Sequence, residues 1–436
     1  MMRLGTLPDL SSPERDRAPS RKPRLLVVVP AKDEAATVQA AMETLLAQDY
    51  PALRIIAVDD RSTDATGKLL DDLAASRPAR LEVIHLTETA EGWMGKTFAM
   101  AAATDHLQSE YVLYTDADVW FSPSILRRAL AYAEESGADH LVVAPTVVTK
   151  SWGERTVLGF LQMVALWACA PWRVADPRAR WNVAAAGAFN LVRREALEEL
   201  GGWAPQRLAV VEDITLGRRV RAAGMRQRLV FAPGLVLVHW APGAWGLIRG
   251  MTKNFFAFAN FRASLLLGAM LGLTALFLLP LAGLAWWPTV VPSLLILACL
   301  ALWYQMMSRV SAIPARFGWL YPLGAAAILW SMLRSMLVTL WRRGVLWRGT
   351  FYPLRDLRKH NSPFAWEWEA TLLRAEGKRA ARNARPSVWI RMARRAGKPS
   401  GNQPAGPGPV GAGLARPRPA PSVGPDRSDA PRTRPE

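Results

Sequence analysis

From residue 24 onward, short apolar runs alternate with segments of helical periodicity. Residues 25–29 form an apolar run closed by Pro30, the pattern of a strand buried on both faces. Residues 35–48 follow with helical spacing, residues 54–58 form a second apolar run, and Asp64 can cap a helix reaching about residue 75. Residues 81–86, 97–107, 111–115 and 141–144 continue the series as strand, helix, strand and strand. Pro123 suits the first turn of a helix between the last two strands. This βαβα rhythm predicts an α/β domain on a doubly wound, mostly parallel sheet. Such sheets bind ligands at the carboxyl ends of their strands.

Past residue 150 the rhythm weakens. Residues 157–172 are apolar and Trp-rich but short for a membrane span, so they read either as core or as a helix lying in a membrane interface. Residues 184–192 and 229–238 read as strands, with a charged helix near 214–223 between them. From residue 265 the chain turns strongly apolar. Residues 265–287 are uncharged and long enough to span a bilayer, closing on Trp286-Trp287 as at a membrane interface. Residues 290–307 form a second candidate, and residues 321–340 a third, interrupted by Arg334. An ionisable residue inside an apolar segment is a functional candidate, with snorkelling as the alternative.

The basic residues flanking these runs are Arg262, Arg309, Arg316, Arg342, Arg343 and Arg348, and the positive-inside tendency puts them all in the cytoplasm. Two spans forming a hairpin satisfy the first three. The third run must then be re-entrant or interfacial, or else three spans leave the last cluster outside. The expected organisation is a disordered N-terminus at 1–23, a catalytic domain at 24–262, transmembrane or interfacial helices within 263–345, a basic juxtamembrane segment at 346–396 and a disordered Pro/Gly/Arg-rich tail at 397–436.

Composition narrows the class. The chain carries 54 Lys and Arg against 36 Asp and Glu, a net charge of +18, which suits either nucleic acid or an anionic membrane surface. The late basic residues flank apolar runs or sit in the tail, and no nucleic-acid motif occurs, which favours the membrane. Cys169 and Cys299 lie far apart in apolar surroundings and do not suggest a disulfide scaffold. The polar N-terminus has no apolar core of signal-peptide length, so the first folded domain is expected in the cytoplasm.

The candidate chemistry lies where the predicted strands end. Four polar clusters occur there: residues 30–34, 58–66, 92–96 and 115–118. The last contains Asp116-Ala117-Asp118. Two carboxylates so close at a strand end repel each other, and a hard divalent cation such as Mg²⁺ or Mn²⁺, shared with substrate phosphates, would resolve that conflict. A solvated turn is the alternative for that triplet alone. No G-x-G-x-x-G and no P-loop pattern is present. What is left is a nucleotide site built on carboxylates, which accept hydrogen bonds from a uracil N–H and ribose hydroxyls, with Lys96 at a helix start facing a phosphate.

These clusters, together with residues 186–190, Gly201-Gly202-Trp203 and Val211-Glu212-Asp213, resemble a family 2 glycosyltransferase of the GT-A fold over about residues 24–240. The stretches 92–96 and 249–254 resemble the hopene-associated glycosyltransferases and their carotenoid-glycosylating relatives. The resemblance implies that Pro30, Ala31 and Glu34 line a nucleotide pocket, with Asp59 at the uracil and Asp60 and Lys96 also on the donor. It implies that Asp116 and Asp118 hold the metal, that Gly187 lines the sugar pocket, and that His239 is a candidate third metal ligand or else a structural strand-end histidine. Asp213 becomes the general base, with Glu212 raising its pKa by like-charge repulsion. For Glu212 and Asp213 the alternative is a pair of acids placed by a helix N-terminus.

The implied protein is a membrane-anchored, metal-dependent, inverting enzyme of the inner (cytoplasmic) membrane, multi-pass, with its catalytic domain in the cytoplasm. It would take a nucleotide-sugar donor, a UDP-sugar foremost, and an isoprenoid, hopanoid or carotenoid-like lipid acceptor, with no nucleic-acid partner. The alternatives are a polysaccharide synthase, which should carry a Gln-x-x-Arg-Trp motif that is not found after the base, and a non-catalytic nucleotide-sugar-binding membrane protein.

Overall fold

A computed structural model describes residues 7–360 other than 180 and 310. The expected tail at 397–436, and the juxtamembrane segment beyond residue 360, lie outside the described residues.

The alternating apolar runs form a seven-stranded sheet. Its strands are β1 (Leu25–Ala31), β2 (Leu53–Asp60), β3 (Leu81–Leu86), β4 (Tyr111–Tyr114), β6 (His140–Ala144), β8 (Asn190–Arg193) and β9 (Gln227–Phe231), in the order β3-β2-β1-β4-β8-β6-β9. β1, β2, β3 and β4 run parallel, and β8 is antiparallel to both neighbours. A smaller sheet orders β5 (Val119–Phe121), β10 (Val236–Val238) and β7 (Thr146–Val147) as β5-β10-β7. The fold is a GT-A-like α/β domain followed by apolar helices.

Side chains leave a strand on alternate faces, and the burial follows that period of two. Leu26 and Val28 pack under α3 (Gly95–His106), α6 (Arg194–Glu199) and α7 (Glu212–Ala222), in one core with Val58, Met100 and Val220. Leu25, Val27 and Val29 face the opposite core with α1 (Val38–Leu46), α2 (Thr66–Ser76) and α4 (Ile125–Ser136). Each such side chain contributes about 1.5–3 kcal/mol through burial, so every strand end is held rigidly from both sides.

The second half of the chain is helical. α5 (Trp152–Cys169) is amphipathic: Leu158, Phe160 and Met163 are buried while Trp152 and Trp167 are exposed. α8 (Gly243–Met251) and α9 (Asn254–Phe258) lead to α10 (Ala263–Leu273), which passes through a π-turn at Thr274–Leu278 into α11 (Leu279–Ala282). Pro280 supplies no N–H to that run, which accounts for the break. α12 (Trp287–Met307), α13 (Tyr321–Arg342) and α14 (Leu354–His360) follow, with a hairpin of β11 (Gly344–Trp347) and β12 (Thr350–Pro353) between the last two.

Among the described residues three segments are long and apolar enough to cross a membrane: Ala263–Ala285, Trp287–Met307 and Ala315–Arg342. They differ in packing. The first two are 17% buried by the protein, whereas the third is 44% buried. α13 lies on α5, α8 and α9. Its Gly324 sits so close to α5 that a Cβ would stand 2.7 Å from the Thr156 carbonyl. Ser331 donates to the Ile248 carbonyl at 3.1 Å, and the Phe256 N–H donates to Ser335 at 2.9 Å. Arg334 donates to Thr252 at 3.3 Å and stacks on Trp245. The arginine inside the apolar run is thus a tether to α8.

Three sequence expectations change. The strand expected over 184–192 is confined to Asn190–Arg193, because residues 184–189 loop over the end of β4. The strand expected over 229–238 is two strands in different sheets, broken at Pro233-Gly234, where Gly234 adopts a φ of 75°. Much of the N-terminus expected to be disordered is docked. Leu10 is fully buried, Asp9 bridges to Phe231, and Glu134 accepts from Ser20 at 2.6 and 2.8 Å. One apolar anchor and scattered ion pairs carry no periodicity, so the sequence pattern does not reveal them.

Candidate functional site

Two loops are stapled together at the carboxyl ends of β1 and β2. Asp33, at a φ of 52°, accepts from the Thr63 N–H at 2.7 Å, and its own N–H donates to Ser62 at 3.1 Å. The Glu34 N–H donates to Thr66 at 2.8 Å and the Ala35 N–H to Asp64 at 3.0 Å. These contacts explain why polar residues crowd positions 59–66: they position the 30–34 loop. They leave the Glu34 side chain on a cleft that also takes in Pro30, Ala31, Asp60, Lys96, Asp116 and Asp118.

Asp59 and Asp60 leave β2 on opposite faces. Asp59 meets His85 at 3.0 Å and accepts from the Ser62 N–H at 3.0 Å. Asp60 turns to the cleft, paired with Arg61 at 2.8 Å. Gly95, the first residue of α3, allows that approach, since a Cβ there would stand 2.1 Å from the Asp60 carboxylate.

Lys96, one residue into α3, is the electrostatic centre. Its Nζ stands 2.5 Å from Asp116 and also pairs with Glu212. Burial alone would lower the Lys96 pKa, but the two carboxylates outweigh it and raise the pKa. Burial would raise the Asp116 pKa, and Lys96 foremost holds it down, with smaller contributions from Lys253 and Arg348. Asp118 gets less relief from Lys96: burial, then Asp116 and Glu34, push its pKa up to about 7.

The loop before β8 backs this carboxylate pair. Thr115 donates to the Ala188 carbonyl at 2.8 Å, and a Cβ on Gly187 would stand 2.8 Å from an Asp116 oxygen. The buried Asn190 meets His140 at 3.1 Å, and Gln227 meets the other ring nitrogen of His140 at 2.8 Å and accepts from the Ala184 N–H at 2.9 Å. Burial lowers the His140 pKa to about 4, so this brace is neutral. Gly187→Ala should displace Asp116 and cut activity by about tenfold or more with an unchanged circular dichroism spectrum. Wild-type activity in that variant would show that the close approach is dispensable.

Glu212 and Asp213 occupy the first turn of α7, where the helix dipole favours acids. Burial first, then the neighbouring Glu212, push the Asp213 pKa up to about 6. Arg219 and Arg221 on the same helix donate to backbone carbonyls, Arg219 to Leu200 at 2.6 Å and Arg221 to Asn182 at 3.0 Å. They are framework rather than a phosphate site.

His239 follows β10, whose register pairs Val238 with Val119, so its backbone lies one step beyond the last pair, level with Asp118. Its side chain meets Glu154 at 3.3 Å. Among the described residues no cluster of three or more His, Cys, Asp or Glu side chains is arranged to hold a metal. Asp116 and Asp118 could present two carboxylates to a hard divalent cation, whose other positions phosphate and water would fill. The raised pKa of Asp118 comes first from burial and then from the negative charge of Asp116 and Glu34, which such an ion would offset.

The cleft also holds residues that sequence reasoning left unassigned: Lys253, and Trp347, Arg348, Thr350 and Tyr352 of the hairpin. Arg348 and Gly349 both take positive φ, 46° and 79°, forming a two-residue turn between alternating apolar positions. That Arg-Gly turn pattern was the available signal.

Residues 26–201 match the family model for glycosyl transferase family 2. The beta-monoglucosyldiacylglycerol synthase of Synechocystis sp. is 29% identical over 204 residues, 44% of this chain and 40% of its own length. The 4,4'-diaponeurosporenoate glycosyltransferase of Staphylococcus aureus is 23% identical over 236 residues, 53% and 60% of the two chains. The chain spans about half the length of the curated relatives it matches. Among solved structures, the mannosyltransferase PcManGT from Pyrobaculum calidifontis in complex with GDP-Man and Mn²⁺ is 20% identical, with a TM-score of 0.46 over 75% of this chain and 90% of that one.

Proposed function

We propose, from the premise that residues 26–201 are a glycosyl transferase family 2 domain, that this protein moves one sugar from a nucleotide sugar to a membrane lipid with inversion. The observation that carries the reading is the reach of Lys96, whose single Nζ touches both Asp116 and Glu212. It brings the Asp-x-Asp pair and the Glu-Asp pair to one point at the sheet's carboxyl end, so a leaving diphosphate and an attacking hydroxyl can share one site.

In this reading Pro30, Ala31, Glu34 and Asp60 take the nucleoside, with Asp59 supporting them from the other face of β2. Gly187 leaves room beside Asp116 for the sugar. Asp116 and Asp118 would hold Mg²⁺ or Mn²⁺, an ion that would neutralise the charge building on the leaving diphosphate. Asp213 accepts the proton of the acceptor hydroxyl, its raised pKa matching a base that works near neutral pH. Proton removal on one side and departure of the diphosphate on the other are the requirements of inversion. His239, level with Asp118 in register, would be the candidate third ligand if it left Glu154.

The lipid acceptor is supported by where the chain enters and leaves its apolar region. Lys253 lies just before the first apolar helix and Trp347 just after the third, and both line the cleft. The two relatives named above also carry diacylglycerol and diaponeurosporenoate in their names. Because both ends of the apolar region meet at one cleft, the chain crosses the membrane an even number of times between them. Ala263–Ala285 and Trp287–Met307 form the spanning hairpin, α13 lies against the catalytic domain, and all the flanking arginines stay on the cytoplasmic side. In a background without Cys169 and Cys299, Trp286→Cys and Leu346→Cys should react with a membrane-impermeant maleimide from opposite faces of sealed vesicles. Labelling from the same face would overturn this topology.

Donor use is tested with purified protein and a panel of UDP-, GDP- and dTDP-sugars, with and without Mn²⁺. Slow metal-dependent release of the nucleoside diphosphate from one donor is expected. Release from none, under any metal, would remove the donor assignment.

A further inference from the structure

We propose that Lys253 and Arg348, carried on the two segments that flank the apolar helices, form a cationic clamp for the donor's diphosphate. The inference rests on the nucleotide-sugar reading and adds a part to it that the Asp-x-Asp pair and Lys96 do not supply.

Both residues line the cleft, and both act electrostatically on Asp116 from positions other than that of Lys96. Lys253 sits at the junction of α8 and α9, its Nζ 3.7 Å from the centre of the Trp347 ring. Among the described residues it forms no ion pair. Burial pulls its pKa down to about 8, against the opposing pull of Glu212 and Asp116 across the cleft. An anion in the cleft would give it the direct ion pair that neither carboxylate makes.

Arg348 is held differently. At the tip of the hairpin its guanidinium bonds the Lys32 carbonyl and the Glu34 carboxylate. Those contacts occupy the nucleotide side of the cleft. A guanidinium fork suits phosphate oxygens at least as well as a single carboxylate, and its exposed position (side chain 41% accessible) leaves it free to turn. Tyr352 fixes the base of the hairpin, accepting from the Gly95 N–H at 3.3 Å, and so aligns the hairpin with the start of α3. A helix start is itself favourable to phosphate. The diphosphate thus meets Lys96 and the α3 terminus on one side, and Lys253 and Arg348 on the other. Trp347 joins the two halves of the clamp, because it touches Lys253 and precedes Arg348 in the chain.

The test compares UDP with UMP on the full-length protein in detergent with Mg²⁺, by calorimetry, using the guanine pair if guanine is the base bound. Arg348→Gln and Lys253→Gln should each weaken UDP by about tenfold or more, the loss of one charge-assisted contact. Each should leave UMP, which lacks the outer phosphate, nearly unchanged, so the UDP-to-UMP ratio controls for a damaged pocket within each variant. Unchanged UDP affinity, or equal losses for UDP and UMP, would overturn the clamp. If wild type binds no nucleoside diphosphate, the nucleotide-sugar reading falls and the clamp falls with it.

Discussion

Replacing Asp213 by Asn should lower glycosyl transfer by about a thousandfold while donor affinity stays at the wild-type value. The amide keeps the size and the hydrogen-bonding atoms of the side chain but cannot take a proton from the acceptor. The wild-type pH profile should carry the complementary signature. Burial and Glu212 hold the Asp213 pKa at about 6, so activity should fall as pH drops through about 6 rather than through the usual carboxylate range. The sign for stability is the reverse of the sign for activity. A carboxyl whose pKa is raised by folding binds its proton more tightly in the fold, so stability is lost as pH rises from the unfolded value of about 4 through about 6, and the full cost is present above that. Asp213→Asn should therefore unfold at a higher temperature than wild type at pH 8, with the gap closing as pH falls towards 4. An unchanged transfer rate would remove Asp213 from the chemistry. A lower melting temperature would show that its carboxylate supports the fold.

Lys96→Met should have the second large effect, on stability and activity together. Lys96 neutralises Asp116 and Glu212 at once, and Met fills its volume without its charge. Removing one partner of a buried ion pair costs about 3–5 kcal/mol, and 18% exposure of the Lys96 side chain places this case at the lower end. Transfer should fall by about a hundredfold, the scale seen when one electrostatic contact to a developing charge is lost. The readout specific to this role is metal-dependent stability. With Asp116 released, Mn²⁺ should raise the melting temperature of Lys96→Met more than that of wild type. An unaltered melting temperature without metal would mean that Lys96 is not the counter-ion its geometry makes it.

Much of this site was legible because two signals coincide. Apolar runs such as residues 25–29 and 54–58 mark buried parallel strands, and polar clusters at their ends mark the face where such sheets bind ligands. The same residues then proved to divide between two tasks that sequence alone does not separate. Asp33, Ser62 and Thr66 staple loops, whereas Glu34 and Asp60 face the cleft. Asp59 and Asp60 are adjacent in sequence, yet the two faces of β2 send one to His85 and the other to the cleft.

What was hidden depends on contacts between distant segments. Nothing local in Lys253 or Arg348 ties them to a strand end more than 200 residues earlier in the first half of the chain. The apolar run at 321–340 looks like its two predecessors by composition, and only its buried serines and Gly324, meeting α9 and α5, distinguish a packed helix from an exposed one. Pro233-Gly234 interrupts what reads as one strand over 229–238. Its consequence, moving Val236–Val238 into a second sheet beside β5, was hidden as well.

The most direct test of single-sugar transfer to a lipid is mass spectrometry of the lipid extract after membranes containing the protein are incubated with labelled nucleotide sugars. The expected result is a lipid heavier by one sugar residue, formed only with a divalent cation and at initial rates about a hundredfold or more lower with Asp116→Asn or Asp213→Asn. Long glycan chains, a product formed at the wild-type rate after either substitution, or no labelled lipid from any donor would contradict it.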